Sequence, residues 1–403
     1  MYLKMWYMTR KQAALARNPA SRSKYRPSGK GRKIADWLRR QIVSGVLPPG
    51  AKLPTRLQLV ERFGASPVTV QRALEWLAAD GLVRGRGKLG TRVCERLPHL
   101  ARYALVFPGH PPHNRDGHDV PRFWQALASQ AAVVAHARGI EIEVLYLPRE
   151  LLESPAAQAL ERKIRSHLLA GLVLCGPPGV YGHSFVLTEE PTLPRVAICQ
   201  PDPHYPNVGS IRLAGEQLPL RAMQYLAAQG CRRVAVIANW GQGSEAFVEA
   251  AARYGLSLPE HWVQFVSIAM PEAAGNLVRL LLSHPDDRPD GLFIADDNLV
   301  ESVAGGLVRA GIRVPDDLRV LAHCNFPAPA PSVLPFVRLG YDAHAVVCAA
   351  IESIDRARAG AAAGVADIPV AFEHELVSPP AAASEIWSPG ATAAQSFPRE
   401  EQS

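Results

Sequence analysis

Long apolar runs are missing from this 403-residue chain: polar or charged residues break every hydrophobic stretch well short of the roughly 20 residues that span a bilayer. The positive charges near the N-terminus precede no continuous apolar segment, so no secretory signal is expected and the chain reads as cytoplasmic. Cysteine is sparse. Its six copies (Cys94, Cys175, Cys199, Cys231, Cys324 and Cys348) show no CxxC or Cys/His spacing, which argues against a zinc site or a disulfide framework. No P-loop, nucleophile elbow or metal spacing occurs, and no cofactor is expected. Acidic residues are scarcest at one end. Up to Pro98 there are 21 Lys+Arg against 5 Asp+Glu, so with a net charge of +7 the remainder is acidic by nine charges. A basic segment joined to an acidic one is expected when only the first part meets a polyanion. A basic tail explains roughly half of the excess, and the other half lies inside a patterned segment.

What is present begins with size and balance. The length exceeds one hydrophobic core, and 48% hydrophobic with 20% charged residues is a globular composition, so two or three domains are expected. Residues 1–29 are basic and without apolar periodicity; they read as a disordered arm in which Met5 and Met8 offer alternative starts. Residues 30–97 read as helix, turn, helix, turn, helix and hairpin. From 101 to 378 short apolar strands alternate with helical stretches, the pattern of βαβ units around parallel sheets. Residues 379–403, rich in Ala, Ser and Pro, read as a disordered tail.

The first helix carries Ile34, Leu38 and Ile42 at core spacing with Trp37 beside them, and Leu47-Pro-Pro-Gly50 ends it. Thr55 caps a second helix carrying Leu57, Leu59, Val60 and Phe63, and Gly64 permits a tight turn. Ser66-Pro67 starts a third helix, since a serine N-cap with proline at the first helical position satisfies free amides without losing a bond. Val70, Ala73, Leu74 and Leu77 mark its buried face, which leaves Ser66, Val68, Thr69, Gln71 and Arg72 outward near its N-terminus. In a helix-turn-helix those positions reach bases and phosphates: Gln suits adenine, Arg suits guanine, and Ser or Thr suits the backbone. A hairpin then surrounds Arg84-Gly-Arg-Gly-Lys88, a cationic tip. The candidate DNA contacts are therefore Thr55, Arg56, Ser66, Val68, Thr69, Gln71, Arg72, Arg86, Lys88 and Thr91. Gly85 to Gly90 spells GxGxxG but precedes a strand, whereas a dinucleotide fingerprint must follow a strand and open a helix.

Residues 31–95 resemble the winged helix of the GntR family. The resemblance rests on Ile42-Val-Ser-Gly-Val-Leu-Pro-Pro-Gly50, Leu53-Pro54-Thr55, Gly64-Ala-Ser-Pro-Val-Thr-Val70, Ala73-Leu74, Asp80-Gly-Leu-Val83, and Gly90-Thr91 with Val93. Two departures stand out: Leu57 occupies a position where the family often has Arg, and Lys88 one where Gly is common.

Residues 101 to about 378 resemble the ligand-binding core of the LacI family, which shares its fold with periplasmic sugar-binding proteins. The resemblance is clearest in Ala222 to Ile237 and in Asp290 to Leu321 with its Asp296-Asp297 and Gly311-Ile-Arg-Val-Pro-Asp-Asp-Leu318. It implies a winged helix-turn-helix of α+β class followed by a two-lobed α/β domain, of the type I periplasmic-binding-protein kind, with parallel sheets and a ligand between the lobes. Lobe one is expected at about 101–203 plus a helix near 343–358, and lobe two at 207–335 with a last strand near Val370 to Val377. The cleft candidates follow the strand ends: His110, Phe123 and Trp124, Gln200, Trp240 and Gln242, Asp297, and Asn325-Phe326. Asp297 matches the family's polyol-binding acid, and Asp296 is placed to cap the next helix. Glu245 lies where a ligand-gripping Arg is common, and Ala322-His323-Cys324 replaces the usual Gly-Phe-Asp.

These readings combine into a repressor-type transcription regulator and homodimer, whose partners are a double-stranded DNA operator and a sugar or polyol effector. An enzyme using Cys324 with His323, or Asp296 with Asp297, is the alternative. Sequence neighbours on a strand point to opposite faces, so that histidine and thiol do not meet.

Overall fold

A computed structural model describes residues 29–85, 87, 90–110, 120–148, 154–182, 184, 190, 192–240, 243–283 and 288–377. The basic arm and the C-terminal tail expected from the sequence lie outside these residues.

The chain opens with three helices, α1 (Lys30–Val43), α2 (Arg56–Phe63) and α3 (Pro67–Ala79), and an antiparallel hairpin of β1 (Val83–Gly85) and β2 (Thr91–Val93). The periodic apolar residues become one core: Ile34, Leu38, Leu59, Val70, Ala73 and Leu77 are fully buried together. Trp37 packs edge-on against Phe63, with Arg62 over its ring. Leu57 differs from its helix-mates, being 67% exposed.

A short helix α4 (Pro98–Ala101) leads into two six-stranded sheets. The first contains β3 (Arg102–Phe107), β4 (Glu141–Tyr146), β5 (Gly171–Leu174), β6 (Arg195–Ala197), β7 (Val208–Leu213) and β13 (Val365–Ile368), all parallel, in the order β13-β7-β6-β5-β3-β4. Its connections include α5 (Arg122–Arg138) and α6 (Pro155–Arg165). The second contains β8 (Val234–Asn239), β9 (Val263–Val266), β10 (Gly291–Ile294), β11 (Arg319–Phe326), β12 (Val337–Asp342) and β14 (Ala371–Phe372), ordered β14-β12-β11-β10-β8-β9, with only the edge strand β14 antiparallel. Helices α7 (Gln217–Ala228), α8 (Glu245–Arg253), α9 (Glu272–Leu281) and α10 (Val300–Arg309) connect these strands. After β12 the chain runs through α11 (Ala343–Arg358) into β13 and back to β14, ending in α12 (Glu373–Val377). It therefore crosses between lobes three times.

One expected boundary moves. Residues 208–213, assigned above to lobe two, pair with β6 in the first sheet, so the crossover comes after Leu213 rather than near residue 207. Gly209 and Ser210 dilute the apolar signal of that strand. The crossovers do not separate two independent cores. Ile211 and Leu218, on either side of the first, share an apolar cluster with Tyr341 and Ala343 at the second.

The N-terminal module is docked on lobe one. Leu168, in the loop after α6, is only 7% exposed and belongs to the module's core cluster with Leu82, Val83 and Leu97. Arg96 Nη1 donates to the Gly139 carbonyl (3.2 Å), and His99 sits in α4, the short helix that follows the module. Burial, reinforced by Arg358 and His167, pushes the His99 imidazole down to about 4, so it is neutral at pH 7.

Candidate functional site

The first candidate surface is the N-terminal half of α3. Ser66 Oγ accepts from Thr69 N–H (3.2 Å) and lies 2.8 Å from Thr69 Oγ1, so these two side chains cap the helix as well as face outward. Ser66, Val68 and Arg72 are exposed, while Thr69 and Gln71 are half-buried. Gln71 Nε2 donates to Glu75 Oε1 (2.8 Å), an i, i+4 pair that the sequence reading missed although its spacing was visible. Thr55 serves a capping box, accepting from Gln58 N–H while Gln58 Oε1 accepts from Thr55 N–H (2.8 Å), and Arg56 is exposed beside it.

The face stands on a braced scaffold. Arg39, 4% exposed, reaches Asp80 (2.6 Å) and Asp36 (3.1 Å) and lies 5.0 Å over the Trp76 ring. Burial raises the Asp80 carboxyl above the usual range, and Arg39 pulls it partly back. Lys30 Nζ donates to the Gly64 carbonyl (2.6 Å), where a φ of +54° turns the chain between α2 and α3. Thr91 is half-buried, and its carbonyl accepts from Leu53 N–H (2.9 Å). Arg86 and Lys88 lie outside the described residues.

The second candidate is the cleft where strand ends converge. Asp297, just beyond β10, and Asn325, near the end of β11, are each 2% exposed, and Asn325 Nδ2 donates to Asp297 Oδ2 (2.8 Å). His323, two residues before Asn325 and on the same strand face, has Nδ1 4.0 Å from Asp297 Oδ1, too long for a hydrogen bond. His323 Nδ1 and Asn325 Oδ1 are both buried without a hydrogen-bond partner. Burial raises the Asp297 carboxyl above its usual range, while His323 and the Asn325 hydrogen bond pull it partly back. Asp296 turns away from this cluster: its Oδ1 accepts from Asn298 N–H (2.9 Å) and Nδ2 (2.7 Å), shaping the loop before α10. Asn298 Oδ1 in turn accepts from the backbone N–H of Arg122 (3.0 Å), which links the start of α5 in lobe one to lobe two.

The other cleft candidates divide by position. Trp124 is half-buried with its ring 5.3 Å from Phe107, and a Cβ at Gly109 would lie 2.6 Å from the indole, so glycine there lets the ring close on the strand end. Phe123 packs against the shared apolar cluster, and His110 is half-buried just after β3. Gln200 is exposed beyond β6, and Trp240 is 71% exposed beyond β8. Phe326, 5% exposed, falls on the opposite strand face from Asn325. Gln242 lies outside the described residues. Cys324 also faces away from His323, and burial pushes its thiol up to about 12, so it is not a thiolate at neutral pH. Among the described residues no group of three or more His, Cys, Asp or Glu is arranged for a metal, and no helix is long and apolar enough to cross a membrane.

Comparison with known proteins places both regions. Residues 30–93 match the gntR family of bacterial regulatory proteins, and residues 223–370 match the periplasmic binding protein-like domain. An HTH-type transcriptional regulator of Mycobacterium tuberculosis is 40% identical over 80 residues, 19% of this chain and 66% of that protein. The mannosyl-D-glycerate transport/metabolism system repressor of Escherichia coli is 44% identical over 64 residues, 16% of this chain and 27% of that protein. The chain thus spans less than two thirds of either relative. Among solved structures, a LacI transcriptional regulator from a Rhodococcus species superposes with a TM-score of 0.51 at 20% identity, over 67% of this chain and 96% of that one. A LacI family transcriptional regulator from Bifidobacterium animalis gives a TM-score of 0.50 at 17% identity, over 69% of this chain and 96% of that one. At such identities the likeness is one of fold. The chain therefore joins a GntR-family winged helix-turn-helix domain at its N-terminus to a two-lobed, type I periplasmic-binding-protein-like domain.

Proposed function

We propose that this chain is a transcription regulator, acting as a repressor, that binds a DNA operator through α3 and the wing and changes its operator affinity when a sugar or polyol occupies the interlobe cleft. The carrying observation is the joint presence of an outward polar face at the start of a capped, braced α3 and a buried Asp297-Asn325 pair with unfilled hydrogen-bonding capacity. The first suits base edges and phosphates. The second suits adjacent hydroxyls, because a carboxylate and an amide oxygen accept bonds that water has been excluded from making. One recognition helix reads only a few base pairs, so a homodimer on a two-fold operator supplies the remaining specificity. The working domain limits are 30–97 and 101–378, and the protein acts in the cytoplasm. Leu168 ties the DNA module to lobe one, so a change at the cleft reaches the module through that lobe.

Two substitutions test the orientation of the module. Gln71→Ala should cost about 1–3 kcal/mol on the preferred operator and relax specificity at particular positions. Lys88→Ala should weaken all sequences alike and make the salt dependence shallower by roughly one ion. Base preference that changed with Lys88→Ala and not with Gln71→Ala would refute the orientation.

A further inference from the structure

Arg122 begins the 17-residue helix α5, at the point where lobe one touches lobe two. Its backbone is held by Asn298, but its guanidinium makes no ion pair or hydrogen bond among the described residues. The side chain is half-buried and lines an interlobe cavity of about 520 Å³ together with Gln125, Asn298, Ser302 and Arg309. Glu272 and Glu301 line the same cavity, yet neither ion-pairs with Arg122. The N-cap of α5 has no side-chain hydrogen bond, so the positive end of the helix adds to the arginine's field. Asn298, which holds the Arg122 backbone, is the residue next to Asp297, so the helix start lies beside the loop that carries the polar cluster, although Asp297 and Asn325 do not themselves line this cavity. On that cluster, Asn325 Oδ1 and His323 Nδ1 are buried and unpartnered.

We propose that the cleft is built for an anionic polyol: a polyhydroxylated molecule bearing a carboxylate or phosphate, with the anionic group on Arg122 and the hydroxyls on Asp297 and Asn325. The inference rests on the effector reading above and narrows it. A neutral sugar leaves the half-buried guanidinium without a direct ion pair, whereas an anion gives it a charge-assisted, two-pronged contact that Glu272 and Glu301 do not make. Asp297 alone would repel an acid, so the two ends of the ligand must be chemically different. Glucose, gluconate and glucose 6-phosphate are therefore informative probes, since they share most hydroxyls and differ in charge.

The test is calorimetric titration of the full chain with each probe, for wild type, Arg122→Gln, Arg122→Lys and Asp297→Ala, with circular dichroism melts showing that each variant folds. At least one acid should bind about tenfold tighter than glucose; Arg122→Gln should remove that advantage and Arg122→Lys should restore part of it. Whichever acid binds identifies carboxylate or phosphate as the group recognised. Equal affinity for glucose and both acids, acid binding unchanged in Arg122→Gln, or no binding of either acid overturns the inference. Acid affinity lost in Arg122→Gln but unchanged in Asp297→Ala upholds the anion seat and removes the hydroxyl seat, so the two readings fail separately.

Discussion

The N-terminal module and the interlobe cleft differ in how far their polar groups are paired. In the module, most polar side chains pair with one another, and only Gln71 Oε1 and Arg39 Nε are buried without a partner among those described: Ser66 and Thr69 cap α3, Thr55 and Gln58 cap α2, and Arg39 binds Asp36 and Asp80. In the cleft, Asn325 Oδ1 and His323 Nδ1 are buried with no partner beside the Asp297 carboxyl, and the Arg122 guanidinium at the lobe contact makes no ion pair or hydrogen bond among the described residues. The proposed function accounts for the difference: a surface for DNA keeps its shape and lends its outer atoms, whereas a site for a small molecule holds groups whose satisfaction waits for it. The sign of a substitution should therefore differ between the two regions.

The largest effect belongs to the backbone that holds the cleft together. Gly340 pairs with Cys324 between β11 and β12, and a Cβ at Gly340 would run into the Cys324 carbonyl. Gly340→Ala should therefore destabilise the two-lobed domain by about 4 kcal/mol or more through backbone strain, seen as a lower midpoint of unfolding in urea. A normal transition would mean that the strands separate cheaply there. Next in size is Arg39→Ala, which leaves the Asp80 carboxylate partly buried and unpaired; it should cost about 3 kcal/mol and lower the melting temperature of the DNA module. Retention of wild-type stability would show that the brace is idle.

Losing one cap is smaller. Ser66→Ala should cost about 1 kcal/mol in the same measurement, with Thr69 N–H left without its partner. Asp297→Asn should act in the other direction. Its carboxyl titrates above the ordinary value, so the folded state holds the proton more tightly than the unfolded chain does. Its contribution to stability is full below the unfolded value and is lost as pH rises through the folded one. At neutral pH the ionised carboxylate is thus a burden that asparagine avoids. Asp297→Asn should raise the melting temperature slightly at pH 7 while weakening effector binding. A lower melting temperature would mean that Asp297 is structural rather than held ready for a ligand.

The same contrast explains what could be read from the sequence. Capping residues and the 3.6-residue period are local, so Thr55, Ser66-Pro67 and the Val70 to Leu77 stripe were legible and lie where expected. Apolar central strands such as β3, β8 and β10 were legible as well. Strands carrying polar or small residues were not: Glu141-Ile-Glu-Val-Leu-Tyr146, Val208-Gly-Ser-Ile-Arg-Leu213 and Val337-Arg-Leu-Gly-Tyr-Asp342 lack a continuous apolar run. Within the cleft, Asp297 and Asn325 are legible from their positions at strand ends, whereas the sequence shows His323 only as a neighbour of Cys324. Its relation to Asp297 comes from the register of β10 beside β11, which no local pattern reports. Arg122 carries no local signal beside the aromatic pair that follows it, because its lack of an ion pair depends on which elements surround it.

The measurement that bears most directly on the account is selection of bound sequences from a random duplex pool by the full chain, run beside the Gln71→Ala/Arg72→Ala double variant. The account predicts that wild type enriches a two-fold symmetric site with half-sites about one helical turn apart, and that the double variant loses base preference while retaining salt-sensitive, sequence-independent binding. Absence of any enriched sequence with wild type, or an identical enriched site with the double variant, would contradict it.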